Sequence, residues 1–249
     1  MFYQRLSVHC SGSADNSRPK IQFYGDWLTE MGFSGSALVQ ALPEPGGFCF
    51  TLKNNDIESY SSLFDDTKEK GGSLVRVFIS NGQNVKGPTF TVSGKYLERC
   101  GLKTGDALIA KCEYGLIRVR KVCDGMHVFN IQKRKDRNTG EPIPNVYLHG
   151  SWLDDALFTP YTLVTVVSVP GLITLTALDK DTSYQYACRH ARQNKMRLLS
   201  VSFRRGSSVI DFTGSHVDRA GFSIGELVTA IYEQGVIKLQ KFEPERLCF

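Results

Sequence analysis

Gly25-Asp26-Trp27-Leu28-Thr29-Glu30-Met31-Gly32-Phe33 recurs, with changes, three more times along the chain. It returns as Gly94-Lys95-Tyr96-Leu97-Glu98-Arg99-Cys100-Gly101-Leu102, as Gly150-Ser151-Trp152-Leu153, and as Gly214-Ser215-His216-Val217-Asp218-Arg219-Ala220-Gly221-Phe222. In copies one, two and four a second glycine follows the first by seven positions, and a third stands fourteen beyond that, at Gly46, Gly115 and Gly235. Copy three has Leu157 at the second position but recovers the same fourteen-residue step at Gly171. Chance does not hold two spacings across four segments, and a repeat of this kind governs every other reading of a chain.

Each copy opens on a strand-like run: Arg5–Cys10, Leu74–Ile79, His127–Ile131 and Leu198–Phe203. A polar loop follows, then a second strand such as Ile21-Gln22-Phe23-Tyr24 or Phe90-Thr91-Val92, with apolar residues at period two. After the first glycine, Trp27, Leu28 and Met31 fall on one side of a turn or two of helix, a face repeated by Tyr96, Leu97 and Cys100. Gly32, Gly101 and Gly221 then stand where that helix must stop, and Gly105-Asp106 and Gly225-Glu226 supply turn chemistry leading into a strand. Closing hairpins are expected at 107–111 with 116–120, 163–167 with 172–176, and 227–231 with 236–239, each bent at its glycine.

The connectors are unequal, and this places the domain boundary. Between copies one and two lies a helix-like insert, 54–72, with Ile57, Tyr60, Leu63 and Phe64 at helical spacing. Between copies three and four lies another, 179–195, with Tyr184, Cys188 and Ala191 on one face. Copies two and three are joined only by Cys123-Asp124-Gly125-Met126. The chain therefore reads as a duplicated pair: a first domain, 1–123, with repeats 5–53 and 73–123, and a second, 124–249, with repeats 126–178 and 196–242.

A chain of 249 residues, 41% of them hydrophobic, has ample material for two packed cores, and its formal charge of +5 permits an anionic partner without requiring one. Seven scattered cysteines form no C-x-x-C pair and no Cys/His ligand spacing, which fits free thiols in a reducing cytoplasm. The N-terminus lacks the basic head and apolar stretch of a secretory signal. The longest uncharged run, Leu157 to Leu178, is rich in threonine and serine and broken by Pro170-Gly171, so it reads as two strands of a hairpin rather than a membrane helix.

One combination carries a family resemblance: Leu6-Ser7-Val8, then Pro19-Lys20-Ile21, Gly25-Asp26-Trp27-Leu28, Gly32-Phe33, and Gly46 before Phe48. It resembles the SymE family of bacterial toxins. Gly101-Leu102-Lys103-Thr104-Gly105-Asp106-Ala107-Leu108, followed by Glu113-Tyr114-Gly115-Leu116-Ile117-Arg118-Val119, is similar to the half-barrel of AbrB- and MazE-type DNA-binding proteins, the superfamily that includes SymE. The resemblance covers about 45 residues in each copy, most of the chain outside the inserts. A single half-barrel leaves strand edges and an apolar face uncovered and must dimerise. Four copies therefore imply a mainly β fold with short helices, made of two tandem AbrB-like swapped-hairpin β-barrels, each an internal pseudo-dimer of two repeats, in a monomeric chain.

The resemblance also implies where nucleic acid is gripped. The positions corresponding to the superfamily's basic loop are Arg18 and Lys20, Lys86 and Lys95, Lys133, Arg134, Lys135 and Arg137, and Arg204 with Arg205. Such residues neutralise phosphates without reading sequence. A further basic run, His190 to Arg197, closes the second insert, where cations also complement a helix dipole. Trp27, Trp152 and Tyr96 could stack on bases, but their place within an apolar turn favours packing.

SymE-like proteins imply RNA cleavage, which needs a general acid and base near the 2′-hydroxyl. The five histidines, His9, His127, His149, His190 and His216, share no repeat position. Asp65-Asp66 and Asp154-Asp155 lack a third metal ligand, and no nucleophile triad or phosphate loop is visible. The expectation is a cytoplasmic SymE-like protein of a bacterial or prophage toxin–antitoxin locus that binds RNA or DNA, without cofactor, metal or membrane; cleavage of RNA is what the resemblance implies, whereas the residues by themselves read as a non-enzyme, so enzyme activity stays open and catalytic residues stay unassigned. The alternative is an inhibitor or regulator from a phage or mobile element, using the barrels as scaffold and the helical inserts to contact a protein.

Overall fold

A computed structural model of the chain describes residues 1–11, 18–53, 57–81, 86–136 and 138–244. These divide into two compact units, the first ending at Val122 and the second running from Cys123 to Pro244. The structure is mainly β, with 51% strand and 17% helix, and its strands form four antiparallel sheets.

Every copy is built from the same series of elements. Copy one comprises β1 (Phe2–Ser7), β2 (His9–Ser11), β3 (Arg18–Tyr24), α1 (Trp27–Glu30), β4 (Leu38–Glu44) and β5 (Gly47–Lys53), and is followed by the insert helix α2 (Ile57–Glu69). Copy two comprises β6 (Ser73–Arg76), β7 (Phe78–Asn81), β8 (Lys86–Ser93), α3 (Lys95–Arg99), β9 (Ala107–Glu113) and β10 (Leu116–Lys121). Copy three has β11 (Met126–Asn130), β12 (Gln132–Lys135), β13 (Pro142–His149), α4 (Ser151–Asp155), β14 (Leu163–Val169) and β15 (Leu172–Ala177), then the insert helix α5 (Tyr184–Gln193). Copy four has β16 (Arg197–Ser200), β17 (Ser202–Arg204), β18 (Ser207–Thr213), α6 (Ser215–Ala220), β19 (Leu227–Glu233) and β20 (Val236–Lys241).

The hairpins form as expected, and the uncharged run from Leu157 supplies β14 and β15. Among the described residues no helix is long and apolar enough to cross a membrane. The opening strands differ from the sequence reading. Each is broken at one buried residue, Val8, Val77, Ile131 or Val201, which leaves one sheet and enters another. The break is made by the other copy of the same unit. Val8 accepts a hydrogen bond from the Gly105 amide and donates to the Asp106 carbonyl, at 2.9 and 3.0 Å. Val77 does the same with Ser36 and Ala37, Ile131 with Gly225 and Glu226, and Val201 with Tyr161 and Thr162. Four equivalent residues thus exchange backbone bonds with the turn of the partner copy, which satisfies their amides and carbonyls as they bury.

The consequence is an exchange of strands within each unit. β1 pairs with β9 of copy two, β6 pairs with β4 of copy one, and the hairpins join through β5 and β10. The six-stranded sheet of the first unit runs β1-β9-β10-β5-β4-β6, and the four-stranded one β2-β3-β8-β7. The second unit repeats both orders with β11-β19-β20-β15-β14-β16 and β12-β13-β18-β17. Closed barrels, expected from the resemblance, do not form. The outermost strands of each six-stranded sheet pass through their buried switch residue into the edges of the four-stranded sheet instead of pairing with each other, so both sheets keep open edges.

The sheets of a unit share one core. In the first, Phe23 and Phe90 of the four-stranded sheet stack at 4.4 Å, and Phe23 meets Phe50 of the six-stranded sheet edge-on at 4.8 Å. Leu28, Leu97, Phe33 and Leu102 from the short helices and their exits close this core. In the second, Val146, Leu148, Ile210 and Phe212 face Val164, Val166, Val228 and Ala230, with Leu153, Phe158 and Val217 closing the ends. Burying such side chains contributes about 1.5 to 3 kcal/mol each relative to exposure, before conformational entropy is counted against it.

Copy three shows how strongly the architecture dictates backbone. In every copy four positions have positive φ: the first glycine, then residues seven, eleven and twenty-one further on. Leu157 (φ 68°) and Tyr161 (φ 70°) hold the left-handed conformation that Gly32 and Gly101, or Gly105 and Gly225, hold elsewhere. The non-glycine side chains at these positions leave the backbone path intact.

The insert helices pack on equivalent strands, α2 on β4 and β6, α5 on β14 and β16. Their inward faces are not those suggested by aromatic spacing. α5 buries Ala187 and Ala191, while Tyr184 is 66% exposed. On α2, Thr67 is buried and Tyr60 and Phe64 are exposed, stacked at 6.4 Å. Small side chains let each helix lie close to its strands, and the buried Gln40 amide of β4 donates to Thr67 Oγ1 at 2.8 Å.

Candidate nucleic-acid interface

The ten basic positions separate by unit. In the first, the exposed Arg18 and the half-buried Lys20 lie on β3 and the exposed Lys86 begins β8. β3 and β8 are antiparallel, so Arg18 and Lys86 stand at opposite ends of the pair and are not brought together. The Lys95 side chain and Arg137 lie outside the described residues.

In the second unit, Lys133, Arg134 and Lys135 occupy the edge strand β12, all exposed, and Arg204 ends the opposite edge strand β17, with Arg205 in the following turn. Between those edges lie β13 and β18, whose alternation turns Val146, Leu148, Ile210 and Phe212 inward and leaves Tyr147 opposite Asp211 on the other face. Arg134 and Arg204 are each three residues beyond their switch residue, and both reach across this face to one carboxylate. Arg134 Nη1 lies 3.2 Å from each oxygen of Asp211, and Arg204 Nη1 lies 3.7 Å from Oδ2. Arg197, at the start of β16, donates from Nη1 to the Thr213 carbonyl at 2.5 Å.

These groups line a cleft of about 490 Å³ with Lys135, Asp136 and Asn138. Four cations there face two carboxylates, and both carboxylates are engaged. Asp211 sits between two guanidiniums. Asp136 accepts from the backbone amides of Thr139 and Asn138, which lowers its pKa below the usual carboxylate value. Among the described residues no ion pair holds Lys133, Lys135 or Arg205. The cleft carries more cations than carboxylates, and Asp211 pairs with two guanidiniums across it. The corresponding edges of the first unit differ: β2 carries His9, Cys10 and Ser11, and β7 carries Phe78 and Ile79, 64% and 56% exposed.

Sequence reading missed Arg197 and Asp211 as partners in this cleft. In sequence the basic run His190–Arg197 reads as the end of a helix, but α5 stops at Gln193 and Arg197 begins a strand. The available signal for Asp211 was its charge alternating with Ile210 and Phe212 in a short strand, which marks an outward position.

Other candidates are placed structurally. The Trp27 and Trp152 indole N–H groups donate to the carbonyls of Tyr24 and His149, at 2.9 and 3.0 Å, and both rings pack against their cores. Trp152 also stacks on His127 at 4.9 Å. The Tyr96 side chain lies outside the described residues. Asp66 pairs with Lys70 at 2.6 Å, and Asp154 accepts a short hydrogen bond from Ser208. Among the described residues no three His, Cys, Asp or Glu side chains gather as metal ligands. Burial pushes the Cys112 thiol up to about 12, so it is inert at neutral pH. His216 Nδ1 lies 3.1 Å from Ser168 Oγ, and burial with the nearby Arg197 and Arg219 lowers its pKa. Compared with known proteins, the chain matches no family model, no curated protein and no solved structure.

Proposed function

We propose that this chain binds nucleic acid through the basic edges and arginine-lined cleft of its second unit, as a SymE-like protein built from two AbrB-like swapped-hairpin units. The observation that carries this reading is the convergence of Arg134, Lys135, Arg197 and Arg204 on one cleft, with its carboxylates already engaged. Guanidiniums fixed by a carboxylate present unused N–H groups to a phosphate with little further ordering. The exchange of β1 and β6 between copies supports the swapped-hairpin assignment, because that exchange is what two such half-units need to cover one another. RNA as the target rests on the SymE resemblance alone.

Charged edges also discourage strand-to-strand aggregation. Protection by itself does not account for β12 and β17, since the equivalent edge β7 exposes Phe78 and Ile79 without any such charge.

Titrating the full chain with labelled RNA and DNA at several salt concentrations tests the reading. Affinity should fall with salt by about 0.7 log unit per tenfold salt for every single-strand phosphate neutralised, and about 0.9 for duplex. Absence of binding, or binding indifferent to salt, would sink it. A second reading, a protein partner on the inserts, is favoured by the exposed Tyr60–Phe64 stack on α2. It predicts a specific partner that survives nuclease and high salt during purification.

A further inference from the structure

Tyr161 stands out against its equivalents. At the same place in the other copies the residue is Ser36, Gly105 or Gly225, and all four have positive φ. A left-handed backbone is strained for an aromatic L-residue. The Tyr161 ring does not recover this by burial, for the residue is 82% exposed. Its amide is held by the Val201 carbonyl at 2.8 Å, so the strained conformation is fixed by the exchange of bonds between copies. A strained, exposed aromatic at a position that small residues fill elsewhere is a candidate for contact with a ligand.

Tyr161 lies on the rim of a groove of about 550 Å³, between the turn at 159–163 and the start of α5, together with Pro160, Leu163, Lys180 and Tyr184. Asp179 is the acidic residue on its wall. Tyr184 also lines an adjoining hollow of about 420 Å³ with Cys188, Arg189 and Arg192, on successive turns of the same helix face. No residue from Tyr184 to Gln193 is acidic. The result is a path that begins with two exposed rings and continues over two guanidiniums.

We infer that this groove binds a single-stranded segment of nucleic acid, with bases stacking on Tyr161 and Tyr184 and phosphates meeting Arg189 and Arg192. The inference rests on the nucleic-acid reading above and deepens it. A duplex keeps its bases stacked within itself and cannot offer their faces to isolated rings, whereas a single strand can. The alternation of aromatic faces with cations is the chemistry that such strands require.

The test uses the full chain and a twelve-nucleotide oligouridylate, with a mixed-sequence duplex as comparison. Tyr161→Gly removes the ring while relieving the backbone, so its melting temperature should not fall below that of the wild type. Its affinity for the single strand should drop about tenfold, as should that of Tyr184→Ala, with duplex affinity unchanged. Unchanged single-strand affinity in both variants, while removal of Lys133 and Lys135 still weakens binding, would assign the groove to another occupant and overturn the inference but not the underlying reading. Failure of the wild type to bind either polymer would remove both.

Discussion

Leu157 and Tyr161 show that this architecture imposes a left-handed backbone even where glycine is absent. Leu157 is 51% exposed at φ 68°, so little packing offsets its backbone cost. Leu157→Gly should therefore stabilise the second unit by about 1 kcal/mol, the relief of left-handed strain less the added freedom of the unfolded chain, and raise its melting temperature by a few degrees. His216 makes a separate prediction. Burial and the charges of Arg197 and Arg219 disfavour its protonated form in the fold. The unfolded chain regains a pKa of about 6.5 and takes up the proton first as pH falls. Stability contributed by this group is thus present above that value and lost as pH falls below it. His216→Gln should flatten the denaturation profile between about pH 7 and 5; an unchanged slope would show that other groups control it. Glycine marks all four left-handed positions in copies two and four and three of them in copy one, which made the pattern legible in sequence, whereas copy three places Leu157 and Tyr161 there and keeps the conformation, with Val201 bonding the Tyr161 amide from outside the copy.

At the scale of the elements, hairpins were legible because a glycine marks each bend and apolar residues alternate around it. The breaks in the opening strands were not. Val8 looks like any inward residue of a continuous strand, and its role as a switch comes from Gly105 and Asp106, almost a hundred residues away. Helix faces misled for a different reason. Spacing placed Tyr184 with Ala191, but the close approach of α5 to β14 and β16 favours Ala187 and Ala191 and turns the larger ring outward. The junction of the two hairpins in the first unit is equally demanding. A Cβ on Gly47 would stand 1.8 Å from the Val119 carbonyl oxygen, which belongs to the paired strand β10 and cannot move aside cheaply. Gly47→Ala should destabilise this unit by about 3 kcal/mol, the upper end of overpacking costs. Because the two units have separate cores, calorimetry should show that loss in one transition, with the transition of the second unit unmoved.

At the scale of the whole molecule, duplication has produced two units of the same topology with different surfaces. The expected basic position in every copy was legible as a list of residues; its division between the units was not. Arg18 and Lys86 fall at opposite ends of an antiparallel pair in the first unit, while strand exchange in the second carries Arg134 and Arg204 from separate copies to one carboxylate. No local pattern encodes that meeting, because it depends on which copy covers which. The contrast between the units offers the most direct measurement. The salt dependence of RNA binding should be compared for the full chain, for Lys133→Ser with Lys135→Ser, and for Lys20→Ser with Lys86→Ser. Removing the two lysines of the second unit should lower the log–log slope by about 1.4 on a single strand, and removing those of the first should leave it nearly unchanged. Equal losses from both pairs, or no loss from the second unit's pair, would contradict the assignment of binding to the basic face of the second unit.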